Sequence, residues 1–283
     1  MTTLQPDLIL TILALLSAAL YIGAGGIVLL RARGNLAASA PARTLDPVRL
    51  TVLVAAALQA YVVYRVMFTP RGVDLGFFNS ASLIGLEIVI ITLIASLRQP
   101  VINLGLIIFP VVGASVLGAW LAPANELLVP DSGWGLNAHI VVSLSAYSLL
   151  SIGAVQALLL AVQDYRLRHR QTERLIGILP PLEIMEQFLF QTIGAGFALL
   201  SLALFSGFLF LHNLFAQKLA EKTTLSIVAW CVFALLLWGR WRFGWRGRTA
   251  TAWTLGGFAV LVLAYFGSKL VLELVLGQHR LPA

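Results

Sequence analysis

The chain reads as an all-α, polytopic transmembrane bundle of about eight spans with both termini outside, and three observations carry that reading. Hydrophobic residues make up 59% of its 283 residues and charged residues only 11%, where a water-soluble domain carries about a quarter. The mean hydropathy is +0.92. Mainly apolar runs of about 20 residues, the length that crosses a bilayer core, recur along the sequence with short polar breaks. They use most of the chain, so a single membrane-embedded domain over 1–283 is expected.

The first run, 8–30, has no basic residue before it and Arg31 and Arg33 after it. A secretory leader carries its charges first and has a shorter apolar core, so this segment is expected to be retained. Further runs follow at 48–68, 77–97, 101–121, 138–162, 186–212, 223–239 and 251–276. The stretch 164–185 carries Arg and Glu and then Pro180 and Pro181, a connector whose prolines end any helix before the sixth run. Segment 241–248, WRFGWRGR, joins Trp and Arg between two runs. Trp favours the headgroup layer and Arg reaches anionic phosphates, so it reads as an interfacial anchor.

Charge orients the spans. The odd-numbered loops hold Arg31, Arg33, Arg43, Arg49, Arg98, Arg166, Arg168, Arg170, Arg174, Arg240, Arg242, Arg246 and Arg248; the even ones hold Arg65, Arg71, Lys218 and Lys222. Positive side chains resist translocation, which places the odd loops in the cytoplasm. The net charge of +7 and pI near 10.1 therefore belong to orientation and lipid contact; no groove for nucleic acid is expected. The single cysteine, Cys231, lies in an apolar run and makes no intramolecular disulfide or CxxC pair.

Several polar residues need a reason to sit where they do. His139 opens the fifth run and His212 closes the sixth. Antiparallel neighbours would bring both imidazoles to one outer surface, where two sp² nitrogens can fill the axial positions of haem iron. From these residues alone, ordinary interfacial polar residues are the stronger reading for both, and stronger still for His169 and His279. Glu87 lies near the middle of the third run and Gln59 in the second, a candidate intramembrane polar site. For Gln59 a helix–helix hydrogen bond is the alternative. Lys269 and Glu273 are spaced to pair along one face. No phosphate loop, HExxH zinc helix, GxSxG elbow or hydrolytic carboxylate pair occurs.

Longer strings carry a resemblance. The passages at 76–110, 139–168, LPPLEIMEQ (179–187), SGFLFLHNLF (206–215), 225–239, GWRGR (244–248) and LAYFGSK (263–269) resemble the YpjD/HemX-like branch of the CcsA-type cytochrome c assembly proteins. The resemblance covers nearly the whole chain after the first run. It implies an eight-span bacterial inner-membrane protein concerned with haem during cytochrome c maturation, with haem presented outside the membrane. His139 matches the histidine that opens the helix after the large outer loop. His212 matches a histidine of some relatives, while others carry theirs where this chain has Glu221. Many relatives have histidine at the place of Arg240 and some at the place of Gln59, and the Trp-rich outer motif is reduced here to Trp134. Arg240 can bind a propionate but cannot ligate iron.

The expected function is thus non-enzymatic haem binding or presentation. His139 and His212 would be the iron ligands, Trp134 and Tyr147 would pack against or orient the porphyrin, and Arg240 or Arg246 would be free for propionates at the inner face. Haem, membrane lipid and cytochrome c biogenesis proteins are the expected partners. Two other classes remain: a proton-coupled small-molecule transporter using Glu87 and Gln59, and a membrane scaffold or regulator of haem metabolism.

Overall fold

The computed structural model describes residues 8–33, 46–69, 72–74, 76–97, 101–121, 128–129, 134–169, 181–210 and 217–267. Eight α-helices account for nearly all of them, as the hydropathy runs predict. They are α1 (Leu8–Ala32), α2 (Pro47–Met67), α3 (Phe77–Ser96), α4 (Gly105–Leu121), α5 (Trp134–Arg168), α6 (Leu182–Phe210), α7 (Gln217–Phe243) and α8 (Gly247–Val262). Helix is the favoured state here because hydrocarbon offers no partner for backbone N–H and C=O groups, and a helix satisfies its own. Seven of the described segments are long and apolar enough to cross a membrane. The eighth, α8, is described over 16 α-helical residues followed by a π turn at Leu263–Gly267, and the rest of the expected last span lies outside the described residues.

The chain divides into two compact units, Met1–Pro130 with Glu173–Pro180, and Asp131–Thr172 with Pro181–Ala283. In the first, α1 packs on α2 and α4, and α3 packs on α2 and α4, so the four helices close a ring. Small and polar residues set the contacts, as expected where lipid removes any hydrophobic drive for helices to associate. Ser17 Oγ of α1 donates to the Ala55 carbonyl of α2 at 2.9 Å. Trp120 Nε1 of α4 donates to Thr11 Oγ1 of α1 at 3.2 Å. One end of this unit carries a feature the all-helical reading lacks, a miniature antiparallel sheet of β1 (Phe68–Thr69), β2 (Gly72–Asp74) and β3 (Leu128–Val129) in that order. Phe68 pairs with Val73, and Val73 with Val129. These segments leave the helices after α2 and α4, where the backbone must find new partners. Strands of two or three residues carry no periodic signal in a sequence.

The second unit repeats the same cyclic order: α5 packs on α6 and α8, and α7 on α6 and α8. Helix α5 spans 35 residues where the hydropathy run has 25, extending the predicted 138–162 at both ends. At about 1.5 Å per residue it is roughly 52 Å long, well beyond a hydrocarbon core of about 30 Å. At its charged end Asp164 and Arg168 pair one turn apart at 3.0 Å, which adds a few tenths of a kcal/mol to the helix. Helix α6 begins at Leu182, immediately after the proline pair, as expected.

Candidate functional site

Antiparallel packing of α5 on α6 places His139. Gly153 of α5 meets Ile193 of α6, and Gly196 of α6 lies so close to α5 that an added Cβ would stand 2.8 Å from Leu150. Carried along the two helices, this register brings the start of α5 to the end of α6. There His139 Nδ1 lies 2.9 Å from Ser206 Oγ. The Ser206 hydroxyl donates to the Ala203 carbonyl at 3.0 Å. On the other side of the ring, Ser143 Oγ is 3.5 Å from Nε2 while its hydroxyl donates to the His139 carbonyl at 2.7 Å. The imidazole is half-buried. It is therefore oriented through Nδ1, and among the described residues Nε2 has only a long approach to one oxygen.

The other predicted positions spread along the molecule. Trp134 is the first residue of α5, and its side chain is exposed. Tyr147 lies two turns beyond His139, buried, with its ring against Phe258 at 5.7 Å and Tyr265 at 5.6 Å. That packing ties α5 to α8 and the segment after it. Arg240, near the end of α7, stands 4.6 Å over the Phe190 ring and donates to the Trp245 carbonyl at 3.2 Å. Phe190 and Ser206 are separated by about 24 Å of α6, so Arg240 and His139 belong to opposite ends of this unit. His212, with His279, Lys269 and Glu273, lies outside the described residues.

In the first unit, Gln59 is fully buried and used on both sides. Tyr21 of α1 donates to its Oε1 at 2.7 Å, and its Nε2 donates to the Ser82 carbonyl of α3 at 2.9 Å. One amide thus links three helices. Glu87 is half-buried on α3. Among the described residues no group of three or more His, Cys, Asp or Glu side chains could hold a metal ion. A haem iron asks less of the protein, since porphyrin fills four positions and one or two imidazoles the rest. His139, an imidazole with an oriented ring and a nitrogen to spare, fits one axial position.

Two polar clusters went unread in the sequence. Asp46, fully buried, binds Arg31 through both oxygens at 2.8 and 3.0 Å and also accepts the Val48 N–H at 3.1 Å. It caps α2, with Pro47 at the first helical position. Arg49 beside it donates to the Ser96 carbonyl at the end of α3 at 3.0 Å. The Asp-Pro pair before an apolar run is a cap signature that could have been read. In the second unit, Glu186 of α6 accepts the Gly247 N–H that opens α8 at 2.7 Å. That bond joins LPPLEIMEQ to GWRGR, as the Tyr147–Tyr265 contact joins two others of the strings that carry the resemblance.

Self-satisfied helices with buried polar links between them define a multi-pass helical membrane protein. A model of the cytochrome C assembly protein family matches residues 48–276. The inner membrane protein YpjD of Escherichia coli K12 is 36% identical over 208 residues, 72% of this chain and 77% of that protein. The cytochrome c biogenesis protein CcsA of Prochlorococcus marinus is 25% identical over 173 residues, 51% of this chain and 55% of that one. CcsA of Chlamydomonas reinhardtii is 26% identical over 150 residues, 52% and 41% of the two chains. No solved structure matches. The chain belongs to the cytochrome C assembly protein family and is a multi-pass inner-membrane protein.

Proposed function

We propose that the protein binds haem at the end of the second unit where α5 begins and presents it on the periplasmic side during cytochrome c assembly. The observation that carries this reading is the ring of His139, held through Nδ1 by Ser206 with Nε2 left for a ligand. Family membership and relatives named as cytochrome c biogenesis proteins support it. His139 supplies one axial nitrogen and His212, six residues after Ser206 in the chain, the other. Haem is cargo here, and the role is carriage without a catalysed reaction; a six-coordinate iron leaves no open position for one. Trp134 lies exposed at the start of α5, the end of the helix that carries His139. Tyr147, packed among Phe258 and Tyr265, sets the position of α5 against α8, and Arg240 braces the opposite end. Full use of the Gln59 amide between Tyr21 and Ser82 supports a structural link there over a transport path.

The test is a ferric haem titration of the detergent-purified protein. Wild type should develop the low-spin spectrum of bis-imidazole iron, and His139→Ala should lose it while eluting as the same monodisperse species. A wild-type protein without haem absorbance, or a His139→Ala variant with the wild-type spectrum, overturns the proposal.

A further inference from the structure

Two arrangements of protons satisfy the geometry around His139 unequally. In one, Nδ1 carries the proton and donates to Ser206 Oγ at 2.9 Å; Ser206 then donates to Ala203 at 3.0 Å and Ser143 to the His139 carbonyl at 2.7 Å. Each proton has an acceptor at ordinary hydrogen-bond distance. In the other, Ser206 turns its proton onto Nδ1 and leaves the Ala203 carbonyl, while an Nε2–H must reach Ser143 Oγ at 3.5 Å. That distance lies beyond the usual range for N–H···O, and the carbonyl of the buried Ala203 loses its hydroxyl donor.

We infer that Ser206 is the positioning residue of His139: it accepts the Nδ1 proton, fixes the tautomer and thereby leaves the Nε2 lone pair as the ligand nitrogen. A ring nitrogen's hydrogen bond decides which of the two nitrogens can bind a metal. Ser206 acts from another helix, 67 residues away in the chain, so the α5–α6 register sets the ligand's protonation as well as its place. The tautomer stands independently of any ligand; its use on iron rests on the haem-binding reading above.

Histidine-labelled protein at about pH 8, where an unperturbed imidazole is neutral, gives the tautomer directly from ring ¹⁵N–¹H spectra. The signals of His139 among the four histidines are assigned by their loss in His139→Gln. Wild type should show a protonated Nδ1. Ser206→Ala should move population to the Nε2–H form and weaken haem binding by about ten- to a hundredfold. Ser206→Thr, which keeps the hydroxyl, should restore both, and Ser143→Ala should leave the ring spectrum unchanged. A protonated Nε2 in wild type overturns the inference, as does a Ser206→Ala protein with wild-type tautomer and affinity. If wild type takes up no haem yet shows a protonated Nδ1 that Ser206→Ala shifts, the haem reading falls and the assignment of Ser206 stands.

Discussion

Asp46 is the residue on which one end of the first unit turns, because it answers two needs with one carboxylate. Burial pushes its pKa upward, but the Arg31 guanidinium, the Val48 N–H and the charge of Arg49 outweigh burial and hold the group below the usual carboxylate value. A carboxylate with a depressed folded-state pKa stabilises the protein above its unfolded pKa of about 3.9 and loses that contribution as pH falls through the lower folded value. Thermal denaturation in detergent should therefore show Tm falling on acidification below about pH 4, and part of that fall should be absent in Asp46→Asn. At neutral pH Asp46→Ala should cost about 2–3 kcal/mol, because it removes the carboxylate shared by the Arg31 guanidinium and the N-terminus of α2. Read from sequence, Arg31 counts only toward orientation. Its partner is 15 residues away across a break in the apolar pattern, and hydropathy does not show which charges pair.

Among the elements, the turn between α7 and α8 shows how an anchor segment is also a joint. Helix α7 closes on Gly244, at φ +66°, with the Gly244 N–H on the Arg240 carbonyl at 3.1 Å. The chain then folds back so that Trp245 covers Gly239, where any Cβ would overlap its ring, and stacks on Trp253 at 5.6 Å. Gly247, at φ +54°, turns its N–H to Glu186, so the cap of α8 comes from α6. A carboxylate at a helix N-terminus also complements the helix dipole. Gly247→Ala should cost about 1–2 kcal/mol from left-handed backbone strain alone, and Glu186→Ala about 1 kcal/mol from the lost cap. Both should lower Tm in detergent, and Glu186→Gln, which keeps an acceptor oxygen, should fall between Glu186→Ala and wild type. WRFGWRGR is legible as a Trp–Arg segment at the headgroup layer. The role of its glycines was hidden, since Glu186 lies 61 residues away.

For the molecule as a whole, the arginine distribution predicts a topology that labelling can check. With Cys231 replaced by Ser, single cysteines at 98, 170 and 246 should be shielded from a membrane-impermeant maleimide in intact cells, and cysteines near either terminus should react. The reverse pattern would place His139 in the cytoplasm and remove the periplasmic haem proposal. Hydropathy alone sets the class and nearly every helix here, because a bilayer penalises any backbone that does not satisfy itself, and that penalty acts run by run. His139 is likewise visible as a histidine at the opening of a span. Two four-helix rings, the Gln59 link, the Glu186 cap and the Ser206–His139 pair are decided only in three dimensions. Lipid is as apolar as the helices it surrounds, so which helix touches which rests on shape and hydrogen bonds between residues far apart in the chain.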